Sequence, residues 1–475
     1  MRRTKIICTI GPASSTVTTL RRMMQAGMDV ARINFSHGSP EEHAATIEHV
    51  RHLAHTLGKN VAILQDLSGP KVRVGAIPGG SVVLARGELV TFSSGTDAPG
   101  VIPLPVPELL DAVREGDRLV ADDGLLVFRV VSRGNDGITA RVLVGGALTS
   151  HKGIAAPGIP LNIPAVTPKD LDDLHVGIAA GVDWVAASFV RSVEDLEPLR
   201  QAMVQAGVLK PIIAKVERME AVRNIRSLVE AADGIMVARG DLGIEIPMDE
   251  VPEVQKRIIA LAREAGKPVI TATQMLESMT HNPMPTRAEA TDVANAILDG
   301  TDALMLSGET AVGDYPVEAV RMMAKIARRT DSHLEANTIW LRGSTTTCAT
   351  PAEAVAQATV DIAAHLGAAL IITATTSGFT ARLIAKYRPK TPIVAVTPSE
   401  DTCRRLAVTW GVRPVMIEPV RDTDHMMGAA LAAVARLKLA PPGSRVVLTA
   451  GVPVNVVGTT NLIRVHTLGQ EAGGA

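Results

Sequence analysis

The sequence predicts an α/β protein: a (β/α)8 barrel of the TIM type, carrying an inserted small β-barrel domain and followed by an open α/β domain. Two observations carry this expectation. A junction recurs, as "AGMDVARI" from Ala26, "AGVDWVAA" from Ala180, "AADGIMVA" from Ala231 and "DGTDALML" from Asp299. In each, a helical stretch ends in Gly or Asp and an apolar run follows at once, the chemistry of a short helix-to-strand turn. Eight apolar runs are bounded by turn residues and nearly continuous, as parallel strands buried on both faces must be.

The eight expected strands are "KIICTI" (5–10), "VARINF" (30–35), "VAILQD" (61–66), "WVAASF" (184–189), "PIIAKV" (211–216), "GIMVAR" (234–239), "PVITAT" (268–273) and "DALMLS" (302–307). Helix starts between them are signalled by "TPKD" at 167–170, "SVED" at 192–195 and the capping box "TRAE" at 286–289. The third unit is interrupted: the alternating runs "RLVADDGLLVFRVV" and "GITARVLVGG" read as antiparallel strands with tight turns. After a helix ending near Ala336, "NTIWLRGSTTTCATP" reads as a connector. "AALIITAT", "TPIVAVTP", "VRPVMIE", "SRVVLTAG" and "NLIRVHTLG" then alternate with helical stretches. The expected boundaries are 1–69 and 166–340 for the barrel, 70–165 for the insert and 345–475 for the last domain.

Composition excludes several function classes. A net charge of −1, a pI near 6.9 and 2% aromatic residues offer neither a basic face nor a stacking surface for nucleic acid. Cys8, Cys348 and Cys403 are too few and too far apart for a disulfide framework or a four-cysteine zinc site. The first apolar run is too short for a signal-peptide core and no spanning segment follows, so a cytoplasmic protein without membrane contact is expected.

Reactive groups in such a barrel belong at the C-terminal strand ends, where polar residues gather. Strand two ends with Arg32, Asn34 and Ser36, strand three with Asp66 and strand four with "SFVR". Strand five ends with Lys215 and Glu217, strand six with "ARGDLG" and Asp241, strand seven with Thr273 and strand eight with Glu309. Lys215 and Glu217, two apart, point to one side of their strand. Each residue alone has a structural explanation, such as a salt bridge, a helix cap or a turn. Their coincidence on one rim marks a site.

Glu217 and Asp241 are oxygen ligands from adjacent strands and suit Mg2+. The absence of His and Cys beside them argues against zinc. Lys215 and Arg32 add positive charge, and the glycines of "ARGDLG" expose backbone N–H groups, so a small anion bearing phosphate or carboxylate is expected. At this level a metal-dependent lyase or aldolase, a phosphoryl transferase and a non-catalytic metabolite sensor all remain open. No Walker A motif is present, because the Gly-Lys pairs at Gly58 and Gly266 lack the upstream glycine.

The motifs "CTIGPAS", "ARINFSHG", "DLSGPKVRVG", "DDGLL", "AKVE", "MVARGDLGIEIP", "TATQMLESM", "PTRAEATDVANAILDGTDALMLSGETAVGDYP" and "GTTNLIRVH" together resemble pyruvate kinases, in the family's order along nearly the whole chain. The resemblance implies phosphoryl transfer from phosphoenolpyruvate to ADP, giving pyruvate and ATP, the last step of glycolysis. It implies Mg2+ on Glu217 and Asp241, Lys215 against the transferring phosphoryl group and enolate oxygen, and Arg32 on the phosphate. Gly240, Asp241 and Thr273 would cradle the carboxylate. Arg73, Lys152, Asn34 and His37 would meet the nucleotide. Thr273 with a bound water is the preferred proton donor to the enolate carbon.

Many family members hold K+ at positions matching Asn34, Ser36, Asp66 and the Leu67 carbonyl, and carry Glu at the position of Lys71. Here the Lys71 ammonium can replace a monovalent ion beside Asp66, so K+ is expected not to be required. In the last domain Thr375, Thr376, Ser377, Gly378 and Thr380 lie where a strand turns into a helix. They read either as ordinary capping or as a phosphate site, and the resemblance suggests a sugar-phosphate or nucleotide effector there. A homotetramer is expected from the resemblance alone.

Overall fold

The computed structural model describes residues 2–95, 100–134, 137–336, 350–453, 456 and 458–469. Eight parallel strands close into a barrel: Lys5–Ile10, Val30–Asn34, Ala62–Asp66, Trp184–Ala187, Ile212–Val216, Gly234–Ala238, Val269–Ala272 and Ala303–Leu306, the last pairing with the first. All eight lie where the apolar runs place them, but several stop short of the expected rim. Strand four ends before Phe189 and strand seven before Thr273, because these residues adopt left-handed backbone at φ 55° and 68° and leave the ladder.

The recurring junction has a physical reason that periodicity did not reveal. Its aspartate precedes every second strand and caps the backbone of the strand before it. Asp29, Asp183, Asp233 and Asp302 accept from the N–H groups of Ile6, Ile63, Ile212 and Val269 at 2.8, 2.7, 2.9 and 3.1 Å. Each carboxylate thus satisfies a strand-start donor that would otherwise lack a partner.

Helix starts follow the sequence at Thr167–Asp170 and Thr286–Glu289, where reciprocal capping boxes form. "SVED" differs: Val193–Leu196 is a 3-10 turn before the helix Glu197–Gln205, and Ser192 makes no cap. Asp195 is held instead by the Arg191 guanidinium at 2.9 Å. The helix Pro316–Ala336 ends where expected, and most of the connector, with Cys348, lies outside the described residues.

The chain between strands three and four forms a half-barrel: a six-stranded sheet with a two-stranded ribbon. It has its own core, in which Phe92 and Phe128 meet edge to face at 5.2 Å. The last domain is a five-stranded sheet, parallel except for the edge strand Thr460–Thr467. Its Ala407 and Val408 pack into the apolar plug of the barrel interior, which is how it seats on the N-terminal end of the barrel. Among the described residues, no helix is long and apolar enough to cross a membrane.

Candidate active site

Inward-facing side chains line the barrel at every second residue. The apolar plug contains Val30, Leu64, Trp184, Ala186 and Ile213. Two residues further along each strand the same face becomes polar, giving Arg32, Asp66, Ser188 and Lys215. The Lys215 ammonium lies 2.8 Å from Glu217 Oε1 and 3.2 Å from Asp66 Oδ1, and it donates to Ser188 Oγ at 2.7 Å. Asp66 Oδ2 takes Arg32 Nε at 2.6 Å, and Arg32 also donates to Thr9 Oγ1. The Ser188 hydroxyl donates in turn to the Leu67 carbonyl. Asp66 and Glu217 are each 1% exposed, so the network holds its charges almost out of water.

The protonation preferences follow from these contacts. Burial opposes the Lys215 charge, but Asp66 and Glu217 outweigh it and hold the ammonium above the ordinary lysine value. Burial likewise opposes ionised Asp66, yet Lys215 and Arg32 keep its carboxyl below the usual range. For Glu217 burial raises the pKa; Lys215 works against the rise and the Asp241 carboxylate adds to it. Two carboxylates that repel each other in one cleft suit a divalent cation.

That cleft, with about 780 Å³ of empty space, lies between barrel and insert and is lined by Glu217, Asp241, Lys71, Phe189 and Arg218, among others. No three His, Cys, Asp or Glu side chains among the described residues are gathered so as to hold a metal by themselves. Glu217 and Asp241 fit Mg2+, which completes its shell with water and ligand oxygens. The Lys71 ammonium is 3.5 Å from Asp241 Oδ1, while Asp66 is paired with Lys215 and Arg32.

Strained backbone frames the rim. Phe189, in left-handed conformation, directs its N–H to Glu217 Oε2 at 2.7 Å. Thr273 and Gln274 are also left-handed, and the Arg239 guanidinium donates to both of their carbonyls while pairing with Asp292 at 2.8 Å. The Thr273 hydroxyl accepts from Gly240 N at 2.8 Å and donates to the Ala272 carbonyl at 2.6 Å. Glu309 is buried and accepts from the Leu276 and Ser307 backbones, so it is a structural member of the rim.

Other expected residues stand apart from the cluster. Asn34 accepts from the Ser36 N–H in a local turn, and the His37 N–H reaches the Asn34 carbonyl. In the insert, Arg73 donates to His151 O and Lys152 pairs with Asp122 at 2.7 Å. In the last domain Thr375, Thr376, Ser377 and Thr380 line a second pocket, with about 510 Å³ of empty space, while Gly378 at φ 81° caps the helix behind it. Thr375 and Ser377 accept from the backbone N–H groups of Gly378 and Phe379, and the Thr380 and Thr460 hydroxyls bond each other.

Sequence reasoning missed Ser188, although its place two residues beyond Ala186 on an inward face was readable. It also missed Arg218, which pairs with Glu245 at 2.7 Å and donates to the Ile159 carbonyl of the returning insert. That contact joins residues distant in the chain and has no local signal.

Comparison with known proteins agrees with this geometry. A family model for the pyruvate kinase barrel domain matches residues 1–320, and one for the pyruvate kinase alpha/beta domain matches 353–466. A curated pyruvate kinase of Geobacillus stearothermophilus is 48% identical over 98% of this chain and 80% of its own length. Pyruvate kinase 2 of a Synechocystis strain is 45% identical over 98% and 79%, and the Bacillus licheniformis pyruvate kinase is 45% identical over 99% and 81%. The chain belongs to the pyruvate kinase family.

Proposed function

We propose that the cleft is where this kinase passes the phosphoryl group of phosphoenolpyruvate to ADP. A β-phosphate oxygen of ADP bonds to phosphorus as the bond from phosphorus to the enol oxygen breaks. The electron pair stays on that oxygen as an enolate, which takes a proton at carbon to give pyruvate. Such transfers need positioning and charge neutralisation more than covalent help. The observation that carries the reading is the Lys215 ammonium, fixed between Asp66, Glu217 and Ser188, with its partner Glu217 lining the cleft together with Asp241.

Three anchors leave Lys215 little rotational freedom, so its charge is preorganised for the phosphoryl and enolate oxygens. Arg32, held through Nε by Asp66 and through Nη1 by Thr9, would turn Nη2 to the phosphate. Glu217 and Asp241 would hold Mg2+, which would add charge neutralisation at the transferring group. Gly240, Asp241 and Thr273 hold the substrate carboxylate. To relay a proton from water to the enolate carbon, the Thr273 hydroxyl must turn from the Ala272 carbonyl. Arg73 and Lys152 of the insert, with Asn34 and His37, take the ADP phosphates; the exposed pairing of Lys152 with Asp122 is cheap to exchange.

Lys71 supplies a fixed cation beside Asp241, and Lys215 and Arg32 already neutralise Asp66, so the reading includes turnover without K+. The pocket at Thr375, Thr376, Ser377 and Thr380 would accept the phosphate of a sugar-phosphate or nucleotide effector. The domain limits 1–69 with 166–340, 70–165 and 345–475, a cytoplasmic location and a homotetramer complete the proposal.

The deciding assay is Mg2+-dependent pyruvate formation from phosphoenolpyruvate, with and without ADP, for wild type and Lys215→Met. The expected result is ADP-dependent turnover, nearly abolished in the variant while Mn2+ binding, read by electron paramagnetic resonance, persists. Pyruvate release at equal rates without ADP would replace a kinase by a phosphatase or lyase.

A further inference from the structure

A third cleft lies at the other end of the barrel, where the chain enters strands seven and eight and meets the last domain. It holds about 210 Å³ of empty space and is lined by Arg263, Lys267, Arg382, Lys386 and Arg388, with Asp302 as its lining carboxylate. Asp302 is already engaged by Arg388 at 3.0 Å and by the N–H groups of Trp410 and Val269. Lys386 has its own partner in Glu353 at 2.6 Å.

The other three cations lack a carboxylate in contact. Lys267 donates to the Ala232 and Glu230 carbonyls at a helix end, and Arg382 to the Ser377 carbonyl. Carbonyls at a helix end offer only about half an elementary charge. Among the described residues Arg263 finds no hydrogen-bond or ion-pair partner, although it is only partly exposed. Asp302, Asp233 and Glu264 stand near enough to act on the three cations electrostatically, but Arg388, Arg405 and Arg200 act in the opposite sense. Burial, and then the neighbouring Arg388, pull Arg263 below its ordinary value, and burial does the same for Lys267 and Arg382. Positive charge therefore exceeds carboxylate charge in a partly desolvated recess, an arrangement that an entering anion would relieve.

We propose that this junction cleft is a binding site for a phosphate group, held between Arg263 and Lys267 of the barrel and Arg382 of the last domain. Guanidinium forks match phosphate oxygens. The site is separate from the catalytic cleft and from the threonine-lined pocket, neither of which contains any of these three side chains. Because its donors come from two domains, an anion here ties barrel to last domain and stabilises the full chain by mass action.

Isothermal titration of the full chain with inorganic phosphate tests this, in EDTA and at ionic strength held constant with chloride. Wild type, Arg263→Gln and Lys267→Gln share every other phosphate-binding locus, so their difference isolates the junction. The expected result is a phosphate site in wild type that is lost, or weakened at least tenfold, in Arg263→Gln, with kcat unchanged. Lys267→Gln should weaken the same site, and it decides the question alone if the arginine variant does not fold. Competition by glycerol 3-phosphate would assign the site to phosphomonoesters as well; no competition would restrict it to free phosphate. Identical stoichiometry and affinity in wild type and both variants overturns the proposal.

Discussion

The two mouths of the barrel both bury carboxylates, yet they use them differently. At the N-terminal mouth Asp183 accepts from the Ile63 N–H and pairs with Arg51 and Arg404, and Asp302 accepts from Val269 and Trp410 while pairing with Arg388. Both are finished, serving strand starts and domain contact. At the C-terminal mouth Glu217 and Asp241 repel each other across an open cleft, and strained turns at Phe189 and Thr273 frame it. Buried charge alone therefore does not point to a functional site; mutually repelling carboxylates beside an open cleft are the better guide.

The sharpest test of that contrast is Lys215→Met. Removing the fixed charge should lower kcat by on the order of 10²–10³-fold or more, the scale of losing a transition-state donor. Steady-state kinetics on folded protein measures it. The opposite mouth should respond in stability instead. Asp302→Ala strands Arg388 and two N–H groups, so denaturant melts should lose about 3–5 kcal/mol while kcat per folded molecule stays unchanged. If kcat fell in proportion, the two mouths would not be functionally distinct.

Ser188→Ala removes one hydrogen bond to the Lys215 ammonium and should reduce kcat roughly tenfold with little change in KM, since charged hydrogen bonds are worth about 1.5–3 kcal/mol. A KM effect instead would make Ser188 a substrate contact. Lys71→Glu places a carboxylate beside Asp241. In potassium-free, sodium-free buffer its activity should fall a few-fold, in keeping with about 1 kcal/mol for a half-exposed pair, and recover on adding K+. Wild type should not respond to K+.

The smallest effect is in pH. Lys215 and Arg32 depress Asp66, so its contribution to stability is complete above the unfolded value, about 3.9, and is lost as pH falls through the folded one. The melting-temperature gap between wild type and Asp66→Asn should hold constant from pH 7 to about 5 and narrow below about 4. A gap that narrowed above pH 5 would contradict the sign of the shift.

Much of this was legible because a barrel strand is a period-two ruler. Val30 to Arg32, Leu64 to Asp66 and Ile213 to Lys215 each step from the apolar plug to the polar rim on one face. Strand order followed from the repeated junction, but the role of its aspartates did not, since that depends on which backbone lies beside them. The pairing of Lys71 with Asp241 was not legible for a similar reason, since it depends on which carboxylate the returning chain brings within reach. Phe189 and Thr273 read as strand because apolar and β-branched residues carry no mark of left-handed backbone.

Asp183 and Asp302 have a further consequence for anyone cutting the gene. Each is shared between two parts of the chain, with Arg404, Arg388 and the Trp410 amide arriving from beyond residue 350. A shortened polypeptide ending after the eighth unit would lose the apolar plug's last two members, Ala407 and Val408, together with those counter-charges. The catalytic cylinder is thus no free-standing cassette: its floor is built by the tail.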